Sequence, residues 1–540
     1  MTKRLHLRWL KVEPWEVLRL ALALVALGVG LLIVRAPLLE AFILLLIAGV
    51  AVGSLLEPLV GVSAALLCGP LAAWLAAEVP QVPVQLGREL FLVAVAAWLL
   101  RKLARRDVYI PSPPLLWPLL AFMGVTLLSL WQPADLWMGF MEWAKWGQLL
   151  LMFLLVYDRM YLLNIWGQLG PVSRPCLPVA RSGDRPQLEK NKIGSRRPGL
   201  LRRYDRIQGR ESPTQATSKR RIAALVVVMT GGALFQAAMG IWQYGLRGYG
   251  PENFALEEGL YRAYGTFEQP NPFGGFLGLV GALLAGLLLA VALDVWQKKR
   301  LPPAWVWLMG VAWLVVAGGV YLSWSRGAWL GFGAALLVMG VVLPRRGLWG
   351  IVLLALLVGG GIGLYHTGRL PAPVASRLTG FLAYTRFEDV RGAAINNTNY
   401  AVLERMAHWQ AALEMWRANF WSGVGFGCYE AAYSEYHLLN WPFALGHAHN
   451  YYLNLLAETG ILGLGAYLLL TGTLFVRLWQ ATRRLTGWQR GLALGLIGAG
   501  TQFGVHDLVD NLLVNNVHLY VGALLALAAW VVGRSSTISH

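Results

Sequence analysis

Four short polar stretches interrupt an otherwise apolar chain, and each carries residues that can do chemistry. In Ser323-Trp324-Ser325-Arg326-Gly327, the second serine can cap a following helix and leave Arg326 in its first turn. Free N–H groups and an arginine at a helix start suit an anion. The plainer reading is an arginine that snorkels to lipid phosphates. A second stretch begins Glu404-Arg405-Met406-Ala407-His408-Trp409 and runs through Trp416 to Phe420. Its Met406, Trp409, Leu413 and Trp416 recur at three- and four-residue intervals, which predicts an amphipathic helix on a membrane surface. Arg405 falls near its positive end, with Asn397, Thr398 and Asn399 just before it. An ordinary interfacial helix with a solvated arginine would read the same way.

The third stretch is Gly446-His447-Ala448-His449-Asn450, directly before an apolar run. Two histidines at a helix mouth can ligate a metal, but no carboxylate cluster stands beside them, and neither a metal nor a cofactor is expected. Histidine is also the usual proton acceptor near neutral pH. The fourth is Arg262-Ala263-Tyr264-Gly265-Thr266-Phe267-Glu268-Gln269-Pro270-Asn271, a turn that carries an arginine and a carboxylate. It also reads as a plain tight turn.

Something must hold these stretches, and the composition says what. Of 540 residues, 57% are hydrophobic and 14% charged, against about a quarter charged in soluble domains. Apolar runs near 20 residues recur, the length a helix needs to cross a bilayer. They are continuous and not alternating, which favours helices over a β-barrel. About fourteen spans are expected, near 17–35, 37–55, 58–77, 87–104, 115–131, 138–157, 222–244, 273–294, 304–323, 327–343, 348–366, 451–475, 491–510 and 517–533. The expected domains are N-terminal transmembrane helices over 1–158, a basic disordered loop over 159–221, and C-terminal transmembrane helices over 222–540. A long outer loop, 367–450, carries the amphipathic helix. No cleavable signal peptide is evident, so the first span reads as an anchor.

Charge orients the chain. The net charge is +18, but it is local. Residues 159–221 hold fifteen Lys/Arg against four acids, the mark of a cytoplasmic loop and not of a nucleic-acid site. With the N-terminus inside, Arg101-Lys102, Lys298-Lys299-Arg300, Arg345-Arg346 and Arg483-Arg484 all fall inside; the short connection near Glu57 is the exception. The four polar stretches then share the outer face. Cys68, Cys176 and Cys428 form no disulfide framework and match no zinc spacing.

In order and placement these pieces resemble the O-antigen ligase/polymerase family of envelope glycosyltransferases. The resemblance rests on Ser325-Arg326-Gly327 after an apolar span, Arg405 followed by Trp409, and Gly423-Val424-Gly425-Phe426-Gly427. It rests most on His449-Asn450, nine residues, Gly460, two residues, Gly463, and it is strongest across 262–470.

That resemblance implies a GT-C-like, all-α polytopic membrane protein of about 12–14 transmembrane helices, facing outward from the bacterial cytoplasmic (inner) membrane. It implies an undecaprenyl-diphosphate-linked glycan donor and a lipid A–core, glycan or protein acceptor. Arg326 and Arg405 would bind the diphosphate, because guanidinium offers paired donors at a permanent charge. His449 would take the acceptor's proton. Arg262, Ser325, Asn450, Glu268 and His447 would support the site. A polysaccharide polymerase is the alternative within the family. A transporter of lipid-linked glycan or ions is the alternative outside it, with Glu142, Lys145, His506, Asp507 and Asp510 as its candidate charges; those last three also suit a supporting role at the outer pocket. A scaffold would leave the polar stretches without a role.

Overall fold

Apolar runs in this chain become helices because a backbone in lipid must bond within its own segment. The computed structural model describes residues 38–71, 86–106, 111–161, 213–257, 259–299, 301–344, 347–369, 389–396 and 399–537, with the single positions Ala23, Gly30 and Trp74. The expected first span, most of the basic loop (162–212), Cys176, and Asn397 and Thr398 lie outside the described residues.

In chain order the helices are α1 (Leu38–Leu56), α2 (Leu59–Cys68), α3 (Leu86–Ala104), α4 (Leu116–Leu128), α5 (Leu136–Tyr161) and α6 (Pro213–Ile241). Then follow α7 (Pro270–Lys298), α8 (Ala304–Leu322), α9 (Arg326–Val342), α10 (Gly347–His366), α11 (Tyr400–Ala418) and α12 (Tyr429–Tyr436). α13 (Tyr451–Arg484), α14 (Gly487–His506) and α15 (Val517–Thr537) complete the bundle. A two-stranded hairpin, β1 (Ala255–Glu257) and β2 (Leu260–Tyr261), sits between α6 and α7. The protein is an all-α multi-pass membrane protein. Among the described residues, α6, α7, α8, α10, α13 and α15 are long and apolar enough to cross a membrane.

α3 and α5 were also expected to span, and both are helical, but they carry charge. The structure pairs it: Lys102 Nζ lies 3.0 Å from Asp158, whose other oxygen accepts from Trp98 Nε1 at 2.8 Å. Arg159 donates twice to Glu57, at 2.8 and 2.7 Å, and Arg221 donates to the same carboxylate at 2.7 Å. Glu57, the acid out of place in a basic series of connections, is thus the partner of two arginines at the same end of the bundle.

Small residues set the closest approaches. A Cβ on Gly286 of α7 would stand 2.1 Å from the backbone nitrogen of Gly495 in α14. The two backbones therefore touch, as small-residue seams allow in membranes. α9 packs on the same helix: a Cβ on Gly331 would meet the Gln502 carbonyl at 2.7 Å. α14 is the spine against which α7, α9 and α13 are positioned.

α11 forms where the periodicity predicts a helix, but its partner differs. Met406, Ala407, His408, Trp409, Ala411, Ala412 and Met415 are buried, and the helix packs on α12 and α13. Its inward face meets protein, in contrast to the expected membrane surface.

Candidate active site

The α8–α9 corner presents Arg326. Ser323 Oγ donates to the Val320 carbonyl at 2.6 Å, and Ser325 Oγ accepts from Ala328 N at 3.3 Å. Ser325 is thus the N-cap of α9 and Arg326 its first residue, as the sequence predicts. Gly327 has a spatial reason to be glycine: a Cβ there would meet Val509 at 2.7 Å and His506 at 3.2 Å.

Arg262 reaches the same corner from the α6–α7 turn. Ala263 N donates to the Leu322 carbonyl at 3.0 Å, laying the turn along the end of α8. Arg262 Nε then donates to the Ser323 carbonyl at 3.1 Å, and Nη2 to Asn271 Oδ1 at 3.2 Å. The turn is held from behind by α6 and the π-helical turn after it. Gln243 Oε1 accepts from Gly265 N at 2.7 Å, and Gln236 Oε1 from Thr266 N at 3.0 Å. Glu268 is exposed and stands apart from the cavity described below.

Arg405 lies in the second turn of α11, with Nη1 donating to the Ala401 carbonyl at 3.3 Å. The histidine stretch is set by α13. Asn450 Oδ1 accepts from Leu453 N at 3.0 Å and so caps this helix. Tyr451 N donates to the Asp507 carbonyl at 2.8 Å, which fixes the start of α13 to the end of α14.

The Gly460 and glycine-loop motifs serve that placement. α13 breaks at Gly460 (φ 62°, ψ −165°), a conformation essentially restricted to glycine. A Cβ there would stand 2.3 Å from the Trp421 backbone. The break frees the carbonyls of Ala457 and Glu458, which accept from Val424 N (2.9 Å) and Gly425 N (3.0 Å), while Ile461 N turns to the Phe420 carbonyl at 3.0 Å. Gly423, Gly425 and Gly427 all have positive φ, so the loop can run between this break and the α4–α5 corner.

Together these elements close a cavity of about 170 Å³. Arg262, Arg326, Arg405 and Asp510 are its charged lining, with Asn271, Ser325 and His506 beside them. His447 and His449 stand directly behind Asp510; ligand atoms of the three lie within 4.8 Å of one another. That spacing can hold a cation, but the charge of Arg405 bears on both imidazoles and on the carboxylate and opposes one.

The hydrogen bonds fix tautomers. His449 N donates to His447 Nδ1 at 3.0 Å, so the proton of neutral His447 sits on Nε2, 3.9 Å from Asp510 Oδ1. The His447 and His449 rings meet edge to face at 4.5 Å. Both nitrogens of His449 are buried and have no hydrogen-bond partner among the described residues. Burial pushes His449 well below the usual histidine range, and His447, Arg405 and His408 push it further; Asp510 alone among its charged neighbours acts upward. His447 is lowered too, by burial first. Both rings are therefore neutral at pH 7, with a lone pair to accept a proton.

His408 plays a different part. Tyr429 OH donates to the His408 carbonyl at 3.1 Å and accepts from its Nδ1 at 3.0 Å. Burial lowers its pKa to about 4. It is a neutral packing histidine against which His449 leans, the ring centroids 5.7 Å apart.

The structure thus brings Arg262, Arg326, Arg405, Ser325, His447 and His449 to one place and leaves out Glu268. His506 and Asp510, which the sequence offers as supports of the outer pocket, line the cavity with them.

A multi-pass helical membrane protein with an arginine-lined pocket backed by neutral histidines is the class defined here. Residues 311–468 match the family described as O-antigen ligase. The match includes Arg326, Arg405, His447, His449, Gly460 and Gly463, and excludes Arg262, His506 and Asp510. No curated protein matches the chain.

Proposed function

We propose that the protein is a membrane glycosyltransferase that moves a glycan from an undecaprenyl-diphosphate carrier to an acceptor hydroxyl, at the outer face of the cytoplasmic membrane. The observation that carries this reading is three arginines lining one cavity backed by a buried neutral imidazole. Arginine is suited to a diphosphate because its planar donors pair with phosphoryl oxygens and its charge does not titrate away. As the sugar–oxygen bond breaks, negative charge grows on the leaving diphosphate, and Arg326 and Arg405 stabilise it there. Ser325, as cap, leaves the first N–H groups of α9 aimed at the same anion.

The acceptor oxygen forms its bond to the anomeric carbon as the carbon–phosphate oxygen bond breaks. Its proton passes to His449, and undecaprenyl diphosphate leaves with the bonding pair. Direct displacement inverts the anomeric centre. An empty pocket leaves His449 too weakly basic for this task. A bound diphosphate offsets the charge of Arg405 and raises its pKa toward working pH. The base is thus prepared only when the donor is present.

Purified protein, given lipid-linked glycan and in turn lipid A–core, a second lipid-linked glycan or a protein acceptor, is expected to consume the donor and extend one of the three. A ligase extends lipid A–core, a polymerase the lipid-linked glycan. No donor consumption with any of them would refute the reading. The outward orientation has its own test. In intact spheroplasts an impermeant thiol reagent should label Glu268→Cys and not Lys298→Cys; the reverse pattern inverts the topology. Cys428 is fully buried and gives no background.

A further inference from the structure

Neither ring nitrogen of His449 is hydrogen-bonded among the described residues. The ring is therefore aimed by its backbone and by the imidazoles packed against it. That backbone is unusual: φ at His449 is 51°, in the left-handed region that residues other than glycine seldom enter. Such a conformation lasts only where the surroundings fix it. Three bonds do so. His449 N donates to His447 Nδ1 at 3.0 Å, Asn450 Oδ1 caps α13, and the N–H of the fully buried Ala448 donates to Asn454 Oδ1 at 3.0 Å. The first two belong to the start of the helix. The third ties the stretch to its interior.

Asn454 is 6% exposed, and both ends of its amide are engaged. The oxygen meets Ala448 N; the nitrogen is hydrogen-bonded to the Glu458 carboxyl, one turn further along the helix. That carboxyl also accepts from the backbone N–H of Gly427 and, at 3.2 Å, of Tyr429, where α12 begins. A carboxyl held by the glycine loop thus orients an amide, and the amide holds the residue between the two histidines. Asn454 itself lines neither the arginine pocket nor a second cavity, of about 630 Å³, on which Gly427 and Gly446 lie with Arg88, Glu142, Lys145 and His518. Any effect of Asn454 on transfer must pass through the groups it holds.

We propose that Asn454 is a positioning residue of the transfer step: held by Glu458, it fixes the Ala448–His449 backbone and so keeps the His449 imidazole in place to take the acceptor's proton. This rests on the glycosyl-transfer reading above. An amide suits the role, because it offers an acceptor to Ala448 N and a donor to Glu458 in one rigid plane. Without it, Ala448 N would be buried and unpaired, and His449 would be free to leave the left-handed region. A misplacement of about 1 Å can cost about 10²-fold in rate.

The test is a double-mutant cycle on the full chain, read as steady-state transfer from the lipid-linked donor. Asn454→Leu, similar in size and without polar atoms, should lower kcat about 10–10²-fold and leave the donor KM unchanged, since Arg326 and Arg405 keep their places. In a His449→Ala background the same change should leave the residual rate unchanged, because the group it positions is gone. Calorimetric binding of a short-chain polyprenyl diphosphate should survive Asn454→Leu. If that variant does not fold, Asn454→Ser, which keeps a hydroxyl on a shorter side chain, is measured in its place and should give the same pattern with a smaller loss. Unchanged kcat, an equal loss in both backgrounds, or loss of diphosphate binding along with kcat would each overturn the proposal. The last two would make Asn454 a prop of the fold alone. A wild-type protein that consumes no donor would instead refute the transfer reading, and the positioning role would fall with it.

Discussion

The two cavities at this end of the bundle differ in how their charge is arranged. In the first, three arginines face a single carboxylate, Asp510. Arg262 donates to the Ser323 carbonyl and the Asn271 side chain, and Arg405 to the Ala401 carbonyl. In the second, two cations face one carboxylate, and Lys145 is already paired to it. The lining of the first thus carries the larger excess of positive charge. The family match covers Arg326, Arg405 and His449 but none of Arg88, Glu142, Lys145 and His518.

The largest effects should come from the first pocket and the histidine behind it. His449→Ala is expected to lower kcat by about 10²–10⁴-fold, the usual worth of a general base, whichever acceptor is supplied. Arg326→Ala should cost about 10²–10³-fold, as loss of one transition-state donor does. Steady-state transfer assays with varied donor check both. Were Arg326→Ala to raise the KM of the acceptor and spare the donor, the assignment of Arg326 to the leaving diphosphate would fall.

Gly460 acts on both pockets at once, because the break it permits in α13 positions the glycine loop bordering the second cavity and the histidine stretch behind the first. Gly460→Ala places a Cβ in backbone that only glycine adopts readily and against the Trp421 carbonyl. We expect a loss of about 1–3 kcal/mol in stability, measured by denaturant unfolding in detergent. An unchanged midpoint would mean that the break relaxes at no cost.

How much of this was legible in the sequence depends on what each residue faces. Caps read well: Ser325 and Asn450 each accept from an N–H three residues on, and that geometry is local. Type and motif single out Arg326, Arg405 and His449 as candidates, and their proximity across 123 positions is a matter of the fold. The face of α11 was misread because an apolar stripe does not say whether lipid or protein covers it. The small residues Ala407, Ala411 and Ala412 were the overlooked sign of protein contact. α3 and α5 form where the apolar runs predict helices, their charges paired with each other and with Glu57. Asp510 and His506 read in the sequence as cation ligands or as pocket supports, and both line the first cavity.

Asp510 offers a sharper probe of the histidines behind the first pocket. It is the charge that acts upward on the pKa of His449 and of His447. Asp510→Asn removes that influence, so both imidazoles should hold protons less tightly. The acid limb of the kcat–pH profile should move to lower pH, and the plateau rate should fall about tenfold as the base weakens, each pKa unit being about 1.4 kcal/mol. A limb moving to higher pH would mean that the titrating group is not a histidine facing Asp510.

The smallest expected effect tests whether the first pocket needs the geometry of its arginines or only their charge. Arg262→Lys keeps a cation but loses the fork that spans the Ser323 carbonyl and Asn271. An ammonium can satisfy one of these oxygens at a time in that orientation. With about one hydrogen bond lost, at roughly 1 kcal/mol, the donor KM should rise several-fold. The acceptor KM and kcat should hold, because Arg326 and Arg405 still meet the developing charge. A fall in kcat with donor KM unchanged would move Arg262 from holding the α6–α7 turn against α8 to stabilising the leaving diphosphate itself.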